Sequence, residues 1–182
     1  NGWIKIAQDG SVILAMPRSE MGQGVHTGLA MLVAEELDVR LSQVRLEQAT
    51  DDKIYGNVGM LVASLPFHPL ESEGEHKPAK VRLGEWMVGK IARELGINAT
   101  GGSSSLADAW DVVPMAAAAA RAALLGSAAT QWKVPVSELG VQDGRVHYAS
   151  GKSEHFGELV ALAMQTPAPA VRKEFLGEAA RA

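Results

Sequence analysis

The sequence predicts an α+β fold in which small hairpins and mixed sheets pack against several helices. Two β-prone pairs are each joined by an Asp-Gly turn, several longer stretches place apolar residues at helical spacing, and no regular strand-helix-strand repeat of a parallel sheet is present. With 182 residues, 47% hydrophobic and 21% charged, the chain is long enough to bury a core and reads as one domain over 1–182.

The elements follow in order. "WIKIA" and "SVILAM" flank Asp9-Gly10 and predict a hairpin. "TGLAMLVAEELD" spaces Leu29, Leu32, Val33 and Leu37 along one helical face with Glu35 and Glu36 opposite, and Thr27 is a candidate N-cap. "QVRLEQA" alternates through Val44 and Leu46 as a strand does, after which Asp51 to Lys80 loses period and reads as a long loop, a length that points to function or a covering excursion. "RLGEWMVGKIARELG" restores helical period through Leu83, Trp86, Met87, Ile91 and Leu95, with Gly96 as C-terminal cap. An alanine-rich stretch then predicts a close-packed helix whose apolar face continues through Leu124, Leu125, Ala128 and Trp132, with a kink or restart at Pro114. A second hairpin around Asp143-Gly144, a short helix near Phe156–Met164 and an extended "PAPAVRKEF" complete the chain.

Bulk properties narrow the function. A net charge of −4 without like-charge blocks argues against a nucleic-acid footprint or a basic membrane-binding face. No apolar run stands out as a membrane span. Without cysteine the chain can supply no disulfide, zinc thiolate or iron–sulfur ligand.

Two constellations could carry chemistry. In "SEMGQGVHTG", Gly22 and Gly24 permit positive φ and close approach of a ligand, while the Gln23 amide offers both donor and acceptor; the same residues also serve as a tight strand-to-helix turn. Gly101-Gly102-Ser103-Ser104-Ser105 opens a predicted helix, where amides and hydroxyls favour an anion, although it lacks a Walker lysine and serves equally as capping chemistry. His68, Glu71, Glu73, Glu75 and His76 share one loop, but their spacing is that of a solvated charged loop and not of a metal site. His147 and His155 read as surface residues of the second hairpin.

Taken together, "PRSEMGQGVHTGLAMLVAEELDV", "TGGSSSLADAW", "AAAARAALLGSAATQWKVP", "DGRVHYASGK" and "FGELVALAM" resemble the molybdopterin-binding subunit of the xanthine dehydrogenase family, in the branch of isoquinoline 1-oxidoreductase beta subunits and related bacterial aldehyde-oxidising enzymes. The resemblance spans nearly the whole chain. It implies molybdenum-dependent hydroxylation of an aldehyde or N-heterocycle, with oxygen drawn from water and electrons leaving through iron–sulfur clusters. The cofactor implied is molybdopterin, in bacteria typically its cytosine dinucleotide form. Gln23 would bond an oxygen ligand of molybdenum, Gly22 and Gly24 would allow close approach, and Gly101, Gly102, Ser103, Ser104 and Ser105 would line the pterin and phosphate. The cofactor's dithiolene holds the metal, so no protein thiolate is required.

Two departures are visible. Pro114, Met115 and Ala117 stand where related sequences commonly carry an arginine pair and a glycine. The family's catalytic glutamate, in a G-x-G-E context, is absent, and "LGEA" at Leu176–Ala179 does not match it. A start at Asn1 and an end at "EFLGEAARA" predict a piece of a longer polypeptide, namely the N-terminal cofactor-binding part, inactive by itself and prone to self-association through uncovered apolar surface. The partners implied are the rest of that polypeptide and a small [2Fe–2S] subunit. A twin-arginine leader, frequent in the family, would place the protein in the periplasm. The competing expectation is a free-standing or degenerate interaction module without cofactor.

Overall fold

Asp9 and Gly10 close the first hairpin as expected. The Asp9 carboxylate accepts hydrogen bonds from the Ser11 amide at 2.9 Å and hydroxyl at 2.6 Å. Strand β1 (Ile4–Ile6) runs antiparallel to β2 (Val12–Met16), with Ile4 opposite Leu14, and β3 (Val44–Gln48) joins them in the order β1-β2-β3. The computed structural model describes residues 1–72 and 76–165. These form two compact units, the first from Asn1–Met16, His26–Glu47 and the chain from Trp110, the second from Pro17–Val25 and Gln48–Ala109.

In the first unit, Val12 and Leu14 of β2 and Leu29, Val33 and Leu37 of α1 (Val25–Leu37) are fully buried. Helix α1 opens at Val25, three residues before the Gly28 start that a Thr27 N-cap implies, so Thr27 is its third residue and not its N-cap. The second hairpin is as expected. β4 (Leu139–Gln142) and β5 (Arg145–Tyr148) meet across Asp143 and Gly144, both at positive φ, and an unanticipated β6 (Ser153–His155) pairs with β5. His155 caps α7 (Phe156–Ala163), whose Phe156 and Leu159 are fully buried and contribute roughly 1.5–3 kcal/mol apiece. The predicted extended segment 167–175 lies outside the described residues.

The alanine-rich stretch forms α6 (Val112–Trp132), which packs on α7, β1, β4 and β5. Ala117, Leu124 and Ala128 are buried, so the small side chains are close-packing positions. The helix restarts at Val112 and runs on without a break at Pro114. Proline is tolerated there because it occupies the first turn, where an N–H has no intrahelical acceptor. By length and composition Ser105–Trp132 could cross a membrane, with a mean hydropathy of 1.5, which corrects the expectation that no such run exists. Alanine raises hydropathy, and 39% of that apolar stretch is buried.

The second unit corrects the long loop. Between Asp51 and Lys80 lie α2 (Val58–Ala63), α3 (Pro69–Ser72) and the start of α4 (Ala79–Leu95), elements too short to show a period. Gly96 caps α4 in the left-handed region at φ 61°, and a Cβ there would lie 2.6 Å from the Lys53 Cβ. The packed side of α4 is built from small residues: Val81 and Ala92 are buried, and Gly84 lies against the Phe67 ring. Its large apolar residues Leu83, Trp86, Met87, Ile91 and Leu95 are all at least half exposed.

Candidate functional site

The two glycine-rich motifs, about eighty residues apart in sequence, line one cleft in the second unit. Met21, Gln23, Gly24 and Val25 come from the first motif, and Thr100, Gly101, Gly102, Ser103, Ser105 and Leu106 from the second, around a cavity of about 400 Å³. Among the described residues no arginine or lysine lines it.

The first loop is closed by its own side chains. Gly22 and Gly24, at φ 91° and 79°, turn their N–H groups onto the Glu20 carboxylate, both at 2.9 Å. Gln23 is bound at both ends: its Oε1 accepts from the Met21 N–H at 2.5 Å, and its Nε2 donates to the Ser19 carbonyl at 2.7 Å. A primary amide retains a second N–H and a second lone pair after those bonds, so the side chain can still address a ligand. The space that a Cβ would take at Gly22 or Gly24 is open for 4 Å.

The second loop divides its three serines by role. The Ser104 hydroxyl donates to the Gly101 carbonyl at 2.7 Å and accepts from the Asn57 amide at 2.8 Å, and Ser104 does not line the cleft. Asn57, 1% exposed, also donates to the Ala99 carbonyl and accepts from the Met60 N–H, joining this loop to the start of α2. Ser103 and Ser105 line the cleft, and among the described residues neither hydroxyl bonds to protein. Ser105 is only 8% exposed and Ser103 sits at φ 53°, an uncommon backbone state for a serine. The helix they enter, α5 (Ser105–Ala109), has five residues and ends before α6 begins at Val112, a few residues ahead of the restart expected at Pro114.

The frame around both loops centres on Arg18. Its buried guanidinium donates to the Tyr55 carbonyl at 2.8 Å, Asn98 Oδ1 at 2.9 Å and the Asp108 carboxylate at 2.8 Å. Burial draws its pKa down and the Asp108 charge opposes that shift. The other Asp108 oxygen accepts from the Gly59 N–H at 2.8 Å. Ser19 donates its N–H to Thr100 Oγ1 at 2.9 Å, a direct bond between the loops.

Sequence reasoning does not find Arg18, Asn57, Thr100 or Asp108. Thr100 adjoins the second motif and could have been drawn from it, whereas the partners of the other three are remote in sequence. The acidic loop is accounted for where described: His68 Nδ1 accepts from the Leu70 N–H and Glu71 pairs with Lys80. Glu73 and Glu75 lie outside the described residues, and no group of three metal-ligating side chains occurs among the described ones. His147 Nε2 lies 3.4 Å from the Gln142 carbonyl and His155 caps α7. Pro114, Met115 and Ala117 belong to the first turns of α6 and are not among the residues lining the cleft.

Comparison with known proteins follows the same lines. Residues 1–65 match the family described as molybdopterin cofactor-binding domain. The chain is 36% identical over 169 residues to the isoquinoline 1-oxidoreductase subunit beta of Brevundimonas diminuta, a match that covers 92% of this chain and 17% of that protein. It is 28% identical over 159 residues to the membrane-bound aldehyde dehydrogenase [pyrroloquinoline-quinone] of Gluconacetobacter polyoxogenes, covering 87% and 15% respectively. The fold is shared with the crystal structure of quinoline 2-oxidoreductase from Pseudomonas putida 86, with a TM-score of 0.53 at 19% identity, over 93% of this chain and 17% of that one. The chain thus spans about one sixth of the length of the curated relatives it matches. These matches bear out the resemblance and the α+β class read from the sequence.

Proposed function

We propose that this chain, a relative of the molybdopterin-binding subunits of the xanthine dehydrogenase family, forms part of the cofactor-binding region of a molybdenum hydroxylase acting on an aldehyde or an N-heterocycle. The observation that carries this reading is the convergence of Gln23 and Gly24 with Gly101, Gly102, Ser103 and Ser105 on one cleft. The residues suit the group. Two hydroxyls without protein partners among the described residues can take a phosphate or pterin oxygen, and the open space at Gly22 and Gly24 admits close approach. No protein thiolate is called for, since the dithiolene carries the metal. A cavity of about 400 Å³ is near the low end of ligand sites and suits one end of an extended cofactor.

In this reading Gln23 would hold the metal end of the cofactor through its remaining N–H. Ser103 and Ser105 would hold the pterin or phosphate, Gly101 and Gly102 would keep the approach open, and Ser104 secures the loop. When bound, the cofactor supplies the metal centre at which oxygen from water is inserted into substrate. The base that such chemistry needs is not supplied by the residues of this cleft, so the chain alone should be inactive, and substrate-dependent dye reduction by it would contradict that. We further propose the cytosine dinucleotide form, a [2Fe–2S] partner subunit and a periplasmic location, as the family that the sequence resembles implies.

One observation favours the cofactor-free alternative: both ends of the Gln23 side chain are already bonded within its own loop. Molybdenum and pterin content decide between the readings. Full-length protein made in a host that synthesises the cofactor should carry both, and Gln23→Ala combined with Ser103→Ala should lose them. A metal-free wild type under those conditions would overturn the proposal.

A further inference from the structure

Arg18 carries a charge into the interior of the second unit, with a side chain that is 0% exposed, yet it does not line the cleft. An arginine is costly to bury, and this one donates to Asn98 and Asp108, which flank the second cleft loop, and to the Tyr55 carbonyl just before α2. It precedes Ser19, whose N–H bonds Thr100 and whose carbonyl holds the Gln23 amide. Asn98 lies two residues before Thr100, and Asp108 lies three residues after Ser105. The guanidinium therefore grips both flanks of the second loop at 2.8–2.9 Å while it fixes the base of the first.

We infer that Arg18, paired with Asp108, is the positioning residue that sets the separation of the Gln23 loop and the Gly101–Ser105 loop. The consequence for ligand binding rests on the cofactor reading above; the positioning itself does not. Three features make the pair a strut. The guanidinium is a planar fork that can meet Tyr55, Asn98 and Asp108 at once, which a lysine ammonium on a flexible stem cannot do. Asp108 is held from behind by the Gly59 N–H, so it cannot follow a displaced partner freely. The Asn57 amide ties Ser104 and Ala99 to the same α2 start, so the second loop is braced at both of its ends.

The test compares the full chain with Arg18→Lys, which keeps the charge and loses the fork, and with Asp108→Asn, which keeps the shape and loses the charge. Hydrogen exchange is read in peptides covering 19–25 and 100–106, with α4 as an internal reference. Pterin content is read by fluorescence after oxidative release. Both variants should exchange markedly faster in the two loop peptides and not in α4, and should retain about ten- to a hundredfold less pterin, the loss typical when an outer-shell support is removed. Unchanged loop exchange in both variants would overturn the inference. Faster exchange throughout the unit, α4 included, would also overturn it, because the pair would then be a general stability element. If the loops loosen selectively but wild type carries no pterin, positioning stands and the cofactor reading fails.

Discussion

Ser104 and its two neighbours separate structure from binding within one tripeptide. Ser104→Ala removes a hydroxyl that donates to Gly101 and accepts from Asn57, both within 2.8 Å. A buried hydrogen bond contributes about 1 kcal/mol net, so the two together are worth about 2 kcal/mol, with a further penalty if the Asn57 amide finds no new acceptor. Ser103→Ala and Ser105→Ala delete hydroxyls that hold no protein partner among the described residues, and each should cost well under the roughly 2 kcal/mol of Ser104→Ala. Urea unfolding at constant m-value measures all three. A double cycle of Ser104→Ala with Asn57→Ala should show coupling of about 1 kcal/mol from the shared bond. Pterin retention should follow the opposite order, with Ser103→Ala and Ser105→Ala the more damaging. Equal destabilisation by all three substitutions, or strict additivity in the cycle, would refute the division of roles.

Other predictions concern the rest of the molecule. Gly96→Ala should destabilise by about 2 kcal/mol or more in chemical denaturation, since it adds left-handed strain to a Cβ placed 2.6 Å from the Lys53 Cβ. Burial raises the Glu36 carboxyl above its ordinary pKa, so the native state holds that proton more tightly than the unfolded chain. Stability should then fall as pH rises from the ordinary carboxylate range through the raised value. Glu36→Gln should accordingly raise Tm at neutral pH, with the gain vanishing below the ordinary range. The exposed face of α4 should drive self-association of the isolated chain, and sedimentation should move toward monomer in Leu83→Lys with Ile91→Lys at unchanged helix content.

Local chemistry was legible in the sequence. Asp9-Gly10, Asp143-Gly144 and Gly96 specify turns and a cap through their own backbone preferences, so both hairpins and the end of α4 follow from a few adjacent residues. What failed was whatever depends on distant partners. The segment from Asp51 to Lys80 looks aperiodic because α2 has six residues and α3 four, and its order comes from Asn57 and Asp108. The spacing in α4 identifies a helix but not which face is covered, and small residues were the packed ones. Gln23 and the glycine-serine loop were visible as motifs. Ser104 could not be told from Ser103 and Ser105, because the partner that claims its hydroxyl lies 47 positions away in sequence.

The most direct measurement is a crystal structure of the full-length protein purified with its metal, with anomalous scattering recorded at the molybdenum edge. A molybdenum peak is expected at the mouth of the Gln23 cleft, with cofactor density within hydrogen-bond distance of the Ser103 and Ser105 hydroxyls. A molybdenum peak remote from that cleft, or a metal-replete protein whose cleft is filled by its own side chains, would contradict it.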